Sequence, residues 1–260
     1  MEDQIILVDK PAGISSFGVV AKIRGKLKAE LGHKIKVGHT GTLDPFATGL
    51  LIILTGKMTK KSNEFLKLDK VYEATLKLGF TSTTGDPEGQ IQEYASWASE
   101  RAGRSPANNH KSQIQEYTSW AGDGAGGSPA ARRRRSSTVG ETATAGPAQS
   151  ILESTIKKFI GKITQTPPKF SAIKINGERA YKLARKGQDF EIPSRDVEIY
   201  NIKILEYNYP ELKIRVHCSS GTYIRTLAED IGKALNTGAY LTALRRTKIG
   251  DYSIKDATML

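Results

Sequence analysis

The chain has 260 residues, long enough to bury a substantial core as one large domain or two small ones, and its formal charge at pH 7 is +12. That surplus of lysine and arginine points to a polyanionic partner, nucleic acid ahead of membrane. A single cysteine, Cys218, excludes an intramolecular disulfide, and the four histidines, His33, His39, His110 and His217, show no zinc-ligand spacing. The acidic N-terminus, MEDQIILVDKPAG, is neither a signal peptide nor a span, and no segment reaches about eighteen consecutive apolar residues. These features together predict a soluble, metal-free protein of the reducing cytoplasm.

IILV (5–8) has the length of a short buried strand and ends at the turn DKPAG. SSFGVVAKIRGKLKAEL (15–31) sets Val19, Val20, Ile23 and Leu27 at helical spacing, with Ser15 or Ser16 as its cap. LLIIL (50–54) is a continuous apolar run, the pattern of a buried strand. VYEATLKLGF (71–80) alternates and predicts a strand with one wet face.

After Glu93 the text turns rich in Ser, Ala, Gly and Arg and nearly loses Ile, Leu and Val. Such a segment buries too little apolar surface to offset its chain entropy, which predicts disorder over 94–149. QIQEYASWAS (90–99) recurs there as QIQEYTSWAG (113–122), a local duplication rather than a solenoid. The segment holds seven Lys or Arg against four acids, a charge of +3, which leaves +9 to the rest.

Patterned sequence then resumes. ILESTIKKFIGKI (151–163) places Ile156, Phe159, Ile160 and Ile163 on one helical face. DVEIYNIKIL (196–205) and ELKIRVHCSS (211–220) predict a strand pair; Leu212, Ile214, Val216 and Cys218 point one way, Lys213, Arg215 and His217 the other. TYIRTLAEDIGKAL (222–235) predicts a helix with Ile224, Leu227, Ala228 and Ile231 inward and Arg225 in its first turn. Strands both adjacent and separated by helices argue for an α+β fold rather than a doubly wound parallel sheet. The expected organisation is one domain in two parts, 1–93 and 150–260, around the low-complexity segment 94–149.

Two phosphate motifs fail on inspection. LTGKMT (54–59) puts Met58 where a P-loop needs a hydroxyl, and GDGAGG (122–127) lies in the low-complexity segment with no strand before it. A different stretch carries the chemistry: GHTGTLDPFATGLL (38–51). Its glycines permit tight backbone and close approach of a ligand, and Pro45 pushes Asp44 into an extended conformation ahead of the buried strand. A lone carboxylate so presented is a candidate nucleophile.

The same string resembles the signature loop of the TruB family of tRNA pseudouridine synthases, of the bacterial type. LVDKPAGISS (7–16), KVYEATLKLGFTSTTGDPEGQ (70–90), TPPKFSAIKINGERAYKLARKG (166–187), CSSGTYIRTLAEDIG (218–232) and GAYLTALRRTKIGDYS (238–253) resemble further motifs of that family, in the right order. The resemblance implies a pseudouridine synthase core, a mixed, largely antiparallel sheet flanked by helices and loops. It also implies isomerisation of the T-loop uridine at position 55 of tRNA, without metal or organic cofactor. Asp44 then matches the nucleophile, its attack on ribose or on uracil left open, with Arg225 as its partner and Tyr72 as the aromatic that stacks on the extruded base. Asp86 matches a second acid that holds the arginine. His39 matches a residue that assists extrusion, and Lys10, Tyr223 and Leu244 match pocket positions. Lys174 and Arg179, with Lys169, Lys182 and Arg185, match a thumb that meets phosphates.

By the same resemblance 1–93 and 150–260 form the catalytic domain, the chain lacks the family's usual C-terminal PUA domain, and 94–149 is an insertion. The expected partner is the tRNA T-stem-loop, bound by a cytoplasmic monomer. Competing readings are a non-catalytic chaperone that folds tRNA through the same groove, a catalytic subunit of a guide-RNA particle, and a hydrolase using His39 and Asp44. The last lacks a serine or thiol partner in a recognisable setting.

Overall fold

The computed structural model describes residues 3–94 and 146–260. The disorder predicted for 94–149 falls almost wholly outside the described residues. Both described parts contribute to one ten-stranded sheet, so the chain on either side of the segment builds one architecture.

Its strands are β1 (Ile5–Lys10), β2 (Val37–His39), β3 (Thr48–Thr55), β4 (Lys70–Leu78), β7 (Gly161–Gln165), β10 (Arg195–Asn208), β11 (Glu211–Cys218), β12 (Ala239–Ile249), β13 (Tyr252–Ser253) and β14 (Thr258–Met259). The main order is β14-β1-β3-β12-β4-β11-β10-β7, with β2 on β3 and β13 on β12. Only the β1–β14 and β3–β12 pairs run parallel, so the expected mixed, largely antiparallel sheet is the one that forms. Two short hairpins stand apart, β5 (Phe80–Ser82) with β6 (Ile91–Glu93) and β8 (Lys174–Ile175) with β9 (Glu178–Arg179).

The sequence patterns report what covers each strand. Helix α1 (Ser16–Leu31) is capped by Ser15, whose side chain accepts from Gly18 N, and it packs Val19 and Val20 on Leu51 and Ile53 of β3. Leu50, Ile52 and Leu54 face the other way onto Phe65 of α2 (Ser62–Lys67) and Ile249. Burial on both faces explains why that run lacks alternation. In β4, by contrast, Tyr72, Ala74, Leu76 and Leu78 are buried, while Glu73 on the opposite face reaches Arg215 of β11 at 2.7 Å. Helix α3 (Gln149–Lys157) and helix α5 (Ile224–Ala234) cover the apolar face through Leu152, Ile156, Leu227 and Ile231. Each such fully buried side chain contributes about 1.5–3 kcal/mol.

Two elements differ from the sequence expectation. The helix predicted over 151–163 stops at Lys157, and 161–165 is instead an edge strand paired with β10. Gly161, at φ +109°, turns the chain out of the helix, and Ile160 is left 41 % exposed. Leucine-like spacing alone does not distinguish a helix from a helix followed by a strand. Strand β12 was not anticipated, yet it lies between β3 and β4 and joins the two halves of the sheet.

Candidate active site

Asp44 sits on the loop between β2 and β3, and its neighbours are fastened from several directions. Ser16 Oγ accepts from Leu43 N at 2.8 Å and donates to Leu43 O at 3.0 Å. Pro45 O accepts from Gly13 N at 2.9 Å and from Lys10 Nζ at 3.2 Å. Lys10 is wholly buried and spends its other bonds on Pro11 O and Ile14 O, both at 2.8 Å. The ammonium thus ties the turn after β1 to the Asp44 loop. Burial lowers its pKa to about 8, with the Asp44 charge opposing that shift. Leu43 and Ala47 are buried beside Asp44, while the Asp44 side chain stays 32 % exposed. The acid is therefore held from behind and open in front.

Arg225, in the first turn of α5, binds the acid. Its Nη2 donates to Asp44 Oδ1 at 3.3 Å and to Phe170 O at 2.9 Å. Nη1 donates to Asp86 Oδ2 at 3.2 Å and to Thr84 O at 3.0 Å. Nε lies 3.1 Å from Asp44 Oδ2 as a charge contact, without hydrogen-bond alignment. Asp86 is buried and its second oxygen accepts from Thr84 Oγ1 at 2.6 Å and from Glu88 N at 3.1 Å. One guanidinium accordingly joins three segments that are far apart in sequence. A buried arginine with two carboxylates and two carbonyls has its donors well used.

These charges act on Asp44 in opposed directions. Burial raises its pKa, Arg225 lowers it, Asp86 raises it and Lys10 lowers it, and the balance is a raised value. A carboxylate whose pKa is raised is a stronger base than an ordinary aspartate, while the Arg225 contact holds its charged form in one orientation.

Tyr72 and Leu244 complete the cluster. Both belong to the same buried cluster as Leu43, which precedes Asp44, and Ala47 of the same loop. Burial raises the Tyr72 phenol, and the Arg246 guanidinium opposes that shift. His39, at the end of β2, is held below its ordinary pKa by burial first, then by the charges of Arg246 and Arg179. Its ring is neutral near pH 7.

The remaining expected residues stand further out. Tyr223 precedes α5; its main chain exchanges hydrogen bonds with the Gln165 side chain, and its ring lies under Arg195 at 4.8 Å. None of those contacts reaches Asp44. Lys174 and Arg179 are exposed on the β8–β9 hairpin, where Arg179 donates to Ala172 O at 3.4 Å. Lys169 is paired with Asp189 at 2.9 Å. Helix α4 (Ala180–Arg185) carries Lys182 and Arg185 in its last turn.

Sequence reasoning missed Arg246, a guanidinium only 1 % exposed beneath the Asp44 loop. The signal was available: in LRRT, read as a strand, Arg245 and Arg246 must point to opposite faces. A groove of about 510 Å³ lies elsewhere, lined by Glu73, Lys203, Arg215, His217 and Lys248 on the face away from Tyr72, and no candidate residue lines it.

Comparison with known proteins places these features in company. The family model "TruB family pseudouridylate synthase (N terminal domain)" matches residues 26–120 and 127–224, and "tRNA pseudouridylate synthase B C-terminal domain" matches 225–260. The chain is 43 % identical to tRNA pseudouridine synthase B of Phocaeicola vulgatus over 256 residues, covering 98 % of this chain and 89 % of that one. It is 40 % identical to the protein of that name from Flavobacterium johnsoniae, covering 99 % and 93 %. Among solved structures, a Cbf5–Nop10–Gar1 complex gives a TM-score of 0.60 at 24 % identity, covering 98 % of this chain and 52 % of the other. That likeness concerns the fold, and the chain spans about half the length of that structural neighbour.

Proposed function

The chain belongs to the TruB family of pseudouridylate synthases and is a tRNA pseudouridine synthase, and from that premise we propose that it converts the T-loop uridine at position 55, with Asp44 making the covalent step. The reaction breaks the N1–C1′ bond, turns the uracil, forms a C5–C1′ bond, and moves one proton from C5 to N1. Nothing is oxidised or reduced. A uridine stacked in a folded loop must first be extruded, at a cost of a few kcal/mol.

In this reading the Asp44 carboxylate attacks the everted nucleotide, at ribose or at uracil, and the bond it forms is broken again before the product leaves, which returns the free carboxylate. Arg225 orients the carboxylate while Asp86 fixes Arg225. The Tyr72 ring stacks on the uracil and its hydroxyl takes part in removing the C5 proton. Leu244 covers the base, Lys10 supports the loop from behind, and His39 assists extrusion as a neutral ring. Tyr223 borders the pocket. Lys174 and Arg179 meet phosphates on the T-stem-loop and position it without reading sequence. The enzyme is proposed to act as a single chain, a cytoplasmic monomer without guide RNA, with 1–93 and 150–260 as one catalytic domain around the inserted 94–149. Among the described residues no helix is long and apolar enough to cross a membrane.

The observation that carries the assignment is Arg225 bonded to both Asp44 and Asp86, beside a cluster that includes Tyr72 and Leu244. The test is release of tritium from C5 of a labelled T-stem-loop, with the product mapped on unmodified tRNA. The purified chain is expected to form pseudouridine at one T-loop site with no guide RNA, and Asp44→Asn to form none. Turnover by Asp44→Asn, or product at another position, overturns the reading.

A further inference from the structure

Arg225 has two carboxylates; Arg246 has none among the described residues, although it is even more deeply buried. Two of its side-chain bonds go to main-chain carbonyls, Nε to Leu50 O at 2.8 Å and Nη2 to Gly41 O at 3.3 Å. A buried guanidinium without a counter-ion pays a large desolvation penalty, so its location needs a reason. The two carbonyls bracket Asp44 in sequence. Arg246 also stands opposite Tyr72 in the β12–β4 register, which puts both side chains on one face.

The contact is close because of Gly49. This residue pairs with Arg246 on one side and Lys10 on the other, at φ +106°. A Cβ at position 49 would lie 2.3 Å from the Arg246 carbonyl oxygen, so no larger residue admits this approach. Strand β12 thereby delivers a cation to the seam between the Asp44 loop and the Tyr72 strand. After burial, Arg246 heads the influences acting on the Tyr72 phenol.

We propose that Arg246 is a positioning residue, tying the Asp44 loop to Tyr72 so that nucleophile and phenol meet the everted base in register. The inference rests on the proposed role of Asp44 and Tyr72. The test is a double-mutant cycle of Arg246→Met and Tyr72→Phe, read as kcat and KM on a T-stem-loop, with melting temperatures measured alongside. Displacement of catalytic groups by about 1 Å costs about 100-fold. Arg246→Met is therefore expected to lower kcat about 100-fold with KM changed less than about threefold. In the Tyr72→Phe background the same substitution is expected to cost under about tenfold, because the two act as a unit. Arg246→Lys, which keeps the charge and loses the fork, is expected to recover part of the loss. If Arg246→Met does not fold, the cycle is run with Arg246→Lys. Independent, multiplying losses overturn the proposal, as does a rise in KM at unchanged kcat. A wild-type chain inactive on the T-stem-loop removes the function reading itself, which an additive cycle in an active enzyme does not.

Discussion

The Asp44 pocket and the expected thumb (166–187) are both rich in charge, yet they treat it differently. In the pocket, Lys10, Asp86, Arg225 and Arg246 are buried, and each has named partners within 3.3 Å. On the thumb, Lys174 and Arg179 are exposed, and the Lys169–Asp189 and Lys186–Glu178 pairs lie in water. Buried pairs are intolerant of losing one member, whereas exposed pairs contribute about 0–1 kcal/mol. The pocket therefore holds its charged atoms in place, and the thumb leaves its charges in water, which suits the phosphate contacts proposed for it. Pocket changes should appear in kcat, thumb changes in KM and salt dependence.

The comparison is broken most severely at Arg225. Arg225→Met leaves Asp44 and Asp86 without the cation that joins them, and is expected to destabilise the fold by about 3–5 kcal/mol. Activity should fall about 1,000-fold or more, checked by chemical denaturation and single-turnover kinetics. Asp86→Asn keeps the shape and removes one charge. It is expected to lower kcat by about 10- to 100-fold through a loosened Arg225, with KM little changed.

A third effect is the pH profile. Asp44 holds its proton to higher pH than an ordinary aspartate, so kcat should be lost on the acid side as pH falls through that raised value. Lys10 loses its proton as pH rises through about 8, weakening its hold on three carbonyls, and kcat should decline there too. Stability moves the other way at Lys10. Between about 8 and its ordinary 10.5 the unfolded chain binds more protons at this residue, so Lys10 makes folding more favourable as pH rises. A decline in kcat near pH 8 without a fall in melting temperature marks a local event, and Lys10→Met should flatten that limb.

The smallest effect belongs to the thumb. Lys174→Glu with Arg179→Glu is expected to raise KM about tenfold at unchanged kcat, and to reduce the salt slope of RNA binding by about 2. A kcat loss as large as that of Asp86→Asn would show that the thumb also orders the pocket, through the Phe170 carbonyl that Arg225 holds.

Much of this was legible beforehand, for reasons that differ by element. Helix α1 and strands β3, β4, β10 and β11 follow from apolar spacing and, for α1, from the Ser15 cap, all local features. The error at 151–163 came from the same kind of evidence, since Ile156, Phe159, Ile160 and Ile163 satisfy helical spacing whatever the chain does at Gly161. Pairing with β10 decided that edge. Asp44 stands out as a lone carboxylate framed by glycines, but Tyr72, Asp86 and Arg225 follow only from motif resemblance, and spacing alone leaves Tyr72 a core tyrosine and Arg225 a surface arginine.

The sequence by itself determined the basic character of the chain, most of its strands and helices, and the stretch in which a single acid is framed by glycines. The tertiary structure decided which charges are buried and whom they meet. Arg225 finds Asp44 across 181 residues and Asp86 across 139, and Arg246 comes under the Asp44 loop because β12 enters between β3 and β4. Periodicity is set by neighbours along the chain, whereas the partner of a buried charge is set by the strand order that brings distant segments together.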